Sequence, residues 1–534
     1  MASGFQEALQ SDKIGSINSA VKDLFVNRLS GYGSAASGNP VDIIVVGGGG
    51  AALAAAAESA RLGQRVIVLE KNPVLGGSTR LAVGLMMAAG TRIQRRAGVQ
   101  DTPQQYEAEL SELTKAQGIA SDGDLRRLLV DNAADTVNFL ESIGVDFIGP
   151  LEQPPFKVRR FHQALPDGRA YIRRLERHCR SLGVEIRLGA RVQRLLLNDA
   201  RVTGVEIASS DGALEVIAAR AGVILATGDF SANRELRARF VGKDPQSVEA
   251  YNLTATGDGH LMALEIGAAL APHPDLGPQI GTIAFSRAID KSAIFGLPPY
   301  RILTLMMKFA MRTLPDAWLR PFVLRAALAD LPIDPALYAE GAILVNRDGE
   351  RFADERSLTC DDVARQPRGE AFIVFDNRIA TLFSAWPHFV CAAQGVVYAY
   401  IDDFRKARQD LYFRANSVEL LAKQLGASPS RLAQSLLSIR AAGTALTSPP
   451  YFALGPLSAK IRHVPVGVTV NVRLQVLKNT GEAIPGLFAA GDVGQGGFVG
   501  PGHGQSLAWA LTSGRLAGRY AADKLGAHDS PTPK

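Results

Sequence analysis

Cysteine is scarce in this chain of 534 residues: Cys179, Cys360 and Cys391 are the only three. Scattered in this way they make neither a disulfide framework nor a metal-ligand spacing, so no metal is expected and a reducing cytoplasm is the expected compartment. Long apolar runs are also missing. None reaches the roughly 20 residues that a membrane-spanning helix needs, and the N-terminus lacks a signal-peptide pattern. Charge of one sign is not in large excess either, since 58 Lys and Arg face 52 Asp and Glu, a formal net charge of +6. With no basic-aromatic motif, that balance describes a solvated surface, and nucleic acid is not expected as a partner. Internal repeats and low-complexity tracts are absent. Apolar side chains are plentiful, 47% of the chain, enough for a sizeable core in more than one domain.

The most informative stretch is Val41–Lys71, VDIIVVGGGGAALAAAAESARLGQRVIVLEK. It reads as strand, glycine turn, small-residue helix, second strand and acidic residue. Gly47 allows the tight turn, Gly49 lets the backbone approach a pyrophosphate, and Ala52 stands at the close helix–strand contact. The helix N-terminus aims N–H groups and the positive end of its dipole at phosphate. Glu70, twenty-one residues after Gly49, closes the second strand and can accept hydrogen bonds from ribose hydroxyls. A lone glycine fingerprint is weak. Strand, helix and acid together predict dinucleotide binding.

The C-terminal stretch Gly486–Ala522 reads as an apolar strand ending at Gly491-Asp492, a glycine-rich loop, and a helix from about Gln505. With the N-terminal βαβ unit and the central ATGDFSAN (Ala226–Asn233), it resembles the FAD proteins of the fumarate reductase and 3-ketosteroid dehydrogenase superfamily. Gly76-Gly77-Ser78-Thr79 is similar to that family's second glycine turn, Thr256-Gly257-Asp258-Gly259 to its TGDG, and Ile343–Glu355 to its LVN…GERF hairpin. The resemblance runs from Val41 to Ala522 and implies non-covalent FAD. The implied cofactor residues are Gly47, Gly49, Gly50, Ala51, Ala52, Glu70 and Lys71 from the first unit, and Gly77, Ser78 and Thr79 from the second turn. Val192, Ala226, Thr227, Gly228 and Asp258 follow from the middle of the chain, and Gly491, Asp492, Gln505, Ser506 and Leu507 from its end. A helix N-terminus at Gln505–Leu507, facing the flavin N1/C2=O edge, would stabilise the anionic reduced flavin.

The expected fold is α/β, a discontinuous Rossmann-like FAD-binding domain with an inserted α+β cap. Residues 1–40 read as a polar extension, 41–280 and 463–534 as the two parts of the FAD domain, and 281–462 as the cap. Within the first part, Gly183–Gln193, Val202–Ile207 and Val216–Ala226 read as strands. In the cap, RILTLMMKFAMRT (Arg301–Thr313) spaces its basic residues along one side of a helix, and the mixture continues through Trp318 and Arg325. Two readings stand: a cap helix with its apolar face in the core, or an interfacial helix over 301–325 with its basic face toward anionic headgroups.

Dicarboxylate reductases of this superfamily clamp and protonate their substrate with two arginines and a histidine. Here Thr359 and Pro501 fall at the arginine positions, and only His463 falls at the histidine. Uncompensated carboxylates would cost several kcal/mol each, which disfavours dicarboxylates. Gly500–Gly504 resembles instead the PGPG turn of 3-ketosteroid dehydrogenases, which implies that the Gly504 N–H helps to bind a carbonyl. The family's tyrosine before that turn is replaced by Gly500. His503 is suited to acid–base work or else only hydrogen-bonds its surroundings. Tyr451 is the phenol candidate for activating a carbonyl. These residues imply an FAD-dependent dehydrogenase acting on a CH–CH bond beside the carbonyl of an apolar, ketosteroid-like substrate, with an electron partner that the residues do not name. The alternatives are the reverse reaction, reduction of an enone or enoate, and a flavin-binding protein without turnover.

Overall fold

Short β-rich segments such as Val41–Val46 (VDIIVV) and Val66–Glu70 (VIVLE) are apolar on both faces and almost wholly buried, as strands covered on both sides must be. They form the centre of the larger sheet in the computed structural model. The structure describes residues 41–526, apart from 117, 119–120, 154–155, 209–213, 242–246, 272–280, 286–299, 316–317, 322–323, 325–327, 329–330, 394–396, 439–445 and 497–502. The expected extension over 1–40 lies outside the described residues.

The main path of that sheet runs Gln475–Leu477, Ala483–Ala489, Leu214–Leu225, Val41–Val46, Val66–Glu70, Glu185–Leu188. Ile43 pairs with Val66 on one side and with Gly222 on the other, and Leu487 pairs with Val223, all in parallel. Only Gln475–Leu477 runs antiparallel on this path. A strand from residues 483–489 therefore completes a sheet begun at residue 41, and the FAD-binding fold is discontinuous, as its motifs imply. The expected strand over Gly183–Gln193 is two strands, Glu185–Leu188 and Arg191–Asn198. The break falls at Gly189, whose φ of +68° turns the chain out of the extended conformation.

One face of this sheet carries the helices Gly50–Arg61 and Gln505–Gly526 packed against each other. The contact is unusually close because its residues are small. A Cβ on Gly514 would lie 2.3 Å from the Ala51 carbonyl oxygen, and one on Gly518 would lie 2.4 Å from that of Ala55. The Ser59 hydroxyl donates to the Gly518 carbonyl at 3.1 Å. Beside this seam Glu58 is fully buried and is held by Arg61 at 2.8 Å, Arg515 at 3.2 Å and Arg519 at 3.0 Å. Burial alone would raise its pKa. The hydrogen bond from Arg61 and the charge of Arg515 outweigh it and hold the carboxyl below its usual value.

The second sheet is built around Tyr451–Ile461, which pairs with Glu249–Ala250, Gly281–Phe285, Glu370–Asp376 and Tyr412–Ala415, while Ile343–Asn346 extends it beyond Glu370–Asp376. Its core also includes Phe230, Leu236, Val241 and Val248, from ahead of residue 281.

The helix that opens the 301–325 segment departs from the first of its readings, an apolar face in the core. Arg301–Thr313 is a helix, but its buried side is polar: Thr304 is buried and its hydroxyl bonds Asp146, whose other oxygen meets Lys308 at 3.0 Å. Ile302, Met306 and Phe309 point outward, 73%, 63% and 69% exposed. The fixed carboxylate of Asp146 draws the polar side in and leaves the apolar side out.

Replacing Glu58 by Gln leaves the guanidinium of Arg515 buried without its charge partner. Glu58→Gln is expected to destabilise the protein by about 3 kcal/mol, read as a fall in the urea midpoint at unchanged slope. An unchanged midpoint would mean that the three arginines gain nothing from this carboxylate.

Candidate active site

At the carboxyl ends of the central parallel strands a cavity opens, the usual place for a ligand in a sheet of this kind. Its floor is the glycine turn after Val41–Val46. Gly47 has a φ of +115°, and a Cβ there would meet the Ala226 carbonyl oxygen at 2.3 Å, so only glycine lets the two chains run this close. A Cβ on Gly49 would meet only the Gly76 carbonyl oxygen, 3.9 Å away, which leaves that side open for a ligand's approach. The helix that follows has no side-chain cap from Gly49 and no acidic residue in its first turn. Such an N-terminus favours an anion.

The second glycine turn packs onto the first. Gly76 N–H donates to the Gly48 carbonyl at 2.9 Å, and Gly50 N–H donates to the Thr79 hydroxyl at 3.2 Å. Across the cavity Asn252 donates to the Ser78 hydroxyl at 2.9 Å. The Thr227 hydroxyl is buried in the lining with no hydrogen-bond partner in the protein, as expected of a group that meets a bound molecule.

Glu70 is buried at one end, and its Oε1 accepts from the Asn72 backbone N–H and side-chain amide, both at 2.7 Å. Burial pushes its pKa up, and the bonds from Asn72 offset part of that rise. Lys71 reaches over to donate to Thr256 at 2.6 Å and Asp258 at 3.1 Å. Asp258 also meets Arg191 at 3.4 Å; burial would raise its pKa, but the Thr256 bond and the Lys71 charge bring it below the usual value.

At the other end Asp492 sits in a short turn, Gly491–Gly494, held by the Ser513 hydroxyl accepting from Gly491 N–H at 2.9 Å. His463 lies on the chain returning from the second sheet, with its Nε2 3.1 Å from Asp492 Oδ1. Behind it Asp229 is buried and accepts from the Val464 N–H at 2.7 Å and from Ser231. Burial lowers the pKa of an imidazole, but the charge and hydrogen bond of Asp492, with Asp229 behind, lift that of His463 to about 9. Asp229 is raised by its burial and by the charge of Asp492. Below pH 9 the site therefore holds an imidazolium between two carboxyl groups.

The lining brings together Gly47, Gly49, Gly50, Ala51, Glu70, Lys71, Gly77, Ser78, Thr79, Val192, Ala226, Thr227, Gly228, Asp258, Gly491 and Asp492. The remaining expected cofactor residues lie elsewhere. Ala52 is buried in the core. Gln505 is buried where it accepts from the Tyr106 hydroxyl at 2.9 Å, Leu507 packs against the main core, and Ser506 is exposed. Gly504 caps the C-terminal helix through its carbonyl, which accepts from Ala508 N–H, and rests against Phe161 and Met87. His503 is exposed in the turn before that helix, and Gly500 to Gly502 fall outside the described residues. Tyr451 opens the central strand of the second sheet, opposite Asp376 and Ala415, and packs on that sheet's core. His463 lies past the other end of the same eleven-residue strand, about 33 Å along it. Tyr451 is not part of the His463 cluster. Thr359 caps a short helix, its hydroxyl donating to Asp362 at 2.6 Å and accepting from the Asp362 N–H at 3.3 Å.

Sequence reasoning missed Asn252, Thr254, Asn72 and Arg191, which complete the cavity. The first two stand in YNLTATGDG, a polar run just ahead of the recognised TGDG, and that adjacency was a usable signal. Glu70→Ala removes the buried acceptor, so FAD affinity is expected to fall roughly 10- to 100-fold, measured as flavin retained on desalting. Unchanged retention would remove Glu70 from the binding set. With no histidine over Gly76–Arg80, acid precipitation is expected to release the flavin from the wild-type protein.

The chain is 27% identical over 494 residues to a probable fumarate reductase, Ifc3, of Shewanella frigidimarina (strain NCIMB 400), covering 86% of this chain and 71% of that protein. It superposes on the open conformation of a flavocytochrome c3 fumarate reductase with a TM-score of 0.67 and 25% identity, covering 94% of this chain and 81% of that one. The 3-ketosteroid-delta4-(5alpha)-dehydrogenase of Rhodococcus jostii RHA1 shares the fold at a TM-score of 0.56 and 23% identity, covering 90% and 97% of the two chains. Residues 42–275 and 305–507 match the family described as FAD binding domain. The open face of Gly49, the helix N-terminus without an acidic residue in its first turn and the orphaned Thr227 hydroxyl suit that cofactor. The chain belongs to the FAD binding domain family and is an FAD-dependent oxidoreductase.

Proposed function

We propose that the protein interconverts a carbon–carbon single and double bond next to the carbonyl of an apolar substrate. The observation that carries this reading is Thr359. At a position where dicarboxylate enzymes of the superfamily hold an arginine, this chain has a neutral side chain already engaged in capping a helix. A dicarboxylate would keep at least one charge uncompensated, at several kcal/mol. A substrate with a single carbonyl needs only one strong donor, and His463 is suited to be that donor.

Bound FAD supplies the two-electron chemistry, exchanging hydride with the β-carbon. His463, kept cationic by Asp492 and Asp229, polarises the carbonyl and so favours proton exchange at the α-carbon. A donor fixed where negative charge develops accelerates the step more than uniform binding does. His503, in the turn ahead of the C-terminal helix, is assigned the proton at the α-carbon. The same groups serve both directions. Likeness to a fumarate reductase at 27% identity supports the reductive one, conversion of an enone or enoate to its saturated product.

Stopped-flow flavin reduction by a saturated ketone, or reoxidation by an enone, tests the two histidines separately. The imidazolium of His463 is present below pH 9 and lost as the pH rises through it, so the rate is expected to fall on that alkaline limb. His463→Gln is expected to abolish the limb and slow the step by roughly 10²-fold; a persisting limb would remove His463 from the reaction. His503→Ala is expected to keep FAD bound and slow the step by roughly 10²–10⁴-fold. Loss of FAD, or a wild-type rate, would make His503 structural.

A further inference from the structure

The outward face of the helix Arg301–Thr313 has no part in the cavity. Ile302, Leu305, Met306 and Phe309 follow one another at helical spacing on that face, and all four are exposed. Trp318, a few residues on, is 69% exposed. Single exposed apolar residues need no explanation, but a contiguous ridge of this kind marks an interaction site. What surrounds the ridge is basic. Arg301 and Arg312, eleven residues apart and so about three turns along the helix, are both exposed beside it. Arg173 stacks on the Tyr300 ring at the start of the helix, 4.3 Å from its centroid, and Arg177 is one turn further along the same exposed side of Arg169–Ser181. The group is compact enough that Arg174, within it, has its pKa lowered by burial and, against the opposing charge of Asp146, by the charges of Arg173, Arg177 and Arg301.

We propose that this face docks on an anionic membrane surface, with Ile302, Leu305, Met306 and Phe309 entering the headgroup–acyl boundary and Arg173, Arg177, Arg301 and Arg312 meeting lipid phosphates. An apolar ridge rimmed by arginine suits such a surface, which supplies both hydrocarbon and negative charge. A second copy of the chain fits worse, because a two-fold contact through the ridge would set the same arginines against one another. The inference goes beyond the proposed reaction. An enzyme docked in this way would take an apolar substrate from the bilayer, but the docking itself is measured without any substrate.

The experiment floats the full, FAD-loaded chain on vesicles of phosphatidylcholine alone and of phosphatidylcholine with phosphatidylglycerol. Binding is expected to the mixed vesicles only, and to weaken as salt is added. Met306→Ser with Phe309→Ser is expected to abolish it at unchanged flavin content. Arg301→Gln with Arg173→Gln keeps the ridge intact and is expected to weaken binding by roughly fivefold per arginine; this pair also serves if the serine variant loses its flavin. No binding to mixed vesicles, equal binding to both kinds, or insensitivity to the arginine pair overturns the proposal. Concentration-dependent self-association that is lost in the serine variant, without vesicle binding, assigns the face to a second copy instead.

Discussion

The close approach of two helices from opposite ends of the chain is the constraint on which the site depends. Gly514 and Gly518 let the last helix settle against the carbonyls of Ala51 and Ala55. That contact fixes where the last helix begins and, through Ser513 and Trp509, which bond Gly491, where the turn carrying Asp492 sits. The glycine fingerprint at the other end of the cavity belongs to the first helix. One seam therefore sets the distance between the two halves of the cofactor site. Glu58, with an arginine from the first helix and two from the last, ties that seam with charge where the backbone ties it with shape.

The link between the two sheets has a comparable logic. The chain leaving Ile461 passes Asp229 and Asp492 before joining the first sheet's layer, where Val468 N–H donates to the Val493 carbonyl at 2.8 Å. His463 is thus placed by the same crossing that joins the second sheet to the first. Its protonation follows from position: a half-buried imidazole bonded to Asp492, with Asp229 behind, keeps its proton at a pH where a solvated one has lost it.

Features of the site carried by contiguous residues were legible in the sequence. The turn after Val46, the acid at Glu70, the second turn at Gly76–Thr79 and the pair Gly491-Asp492 each depend on a few neighbouring residues, and all of these groups reach the cavity. Arg191 was not legible, because only the topology of the sheet brings it there, whereas Asn252 and Thr254 were signalled only by their place just ahead of the TGDG run. Tyr451 shows the converse case: close in sequence to the return crossing, it is set by an eleven-residue extended strand at the opposite end of that strand from His463. The helix at Arg301–Thr313 was legible as amphipathic, but periodicity tells which residues share a face and not which way that face turns. Asp146, more than a hundred and fifty residues away, decided it.

The central claim is that a chain with Thr359 at the position where dicarboxylate enzymes of the superfamily hold an arginine, and with His463 held as a cation by Asp492, acts on a carbon–carbon bond beside a lone carbonyl. An anaerobic screen of the purified flavoprotein against saturated ketones, enones and dicarboxylates, following the flavin's visible absorbance, tests it most directly. The account predicts that an apolar ketone bleaches the oxidised flavin or that its enone reoxidises the reduced one, while succinate and fumarate leave both forms unchanged. Rapid reoxidation by fumarate, with enones inert, would contradict it.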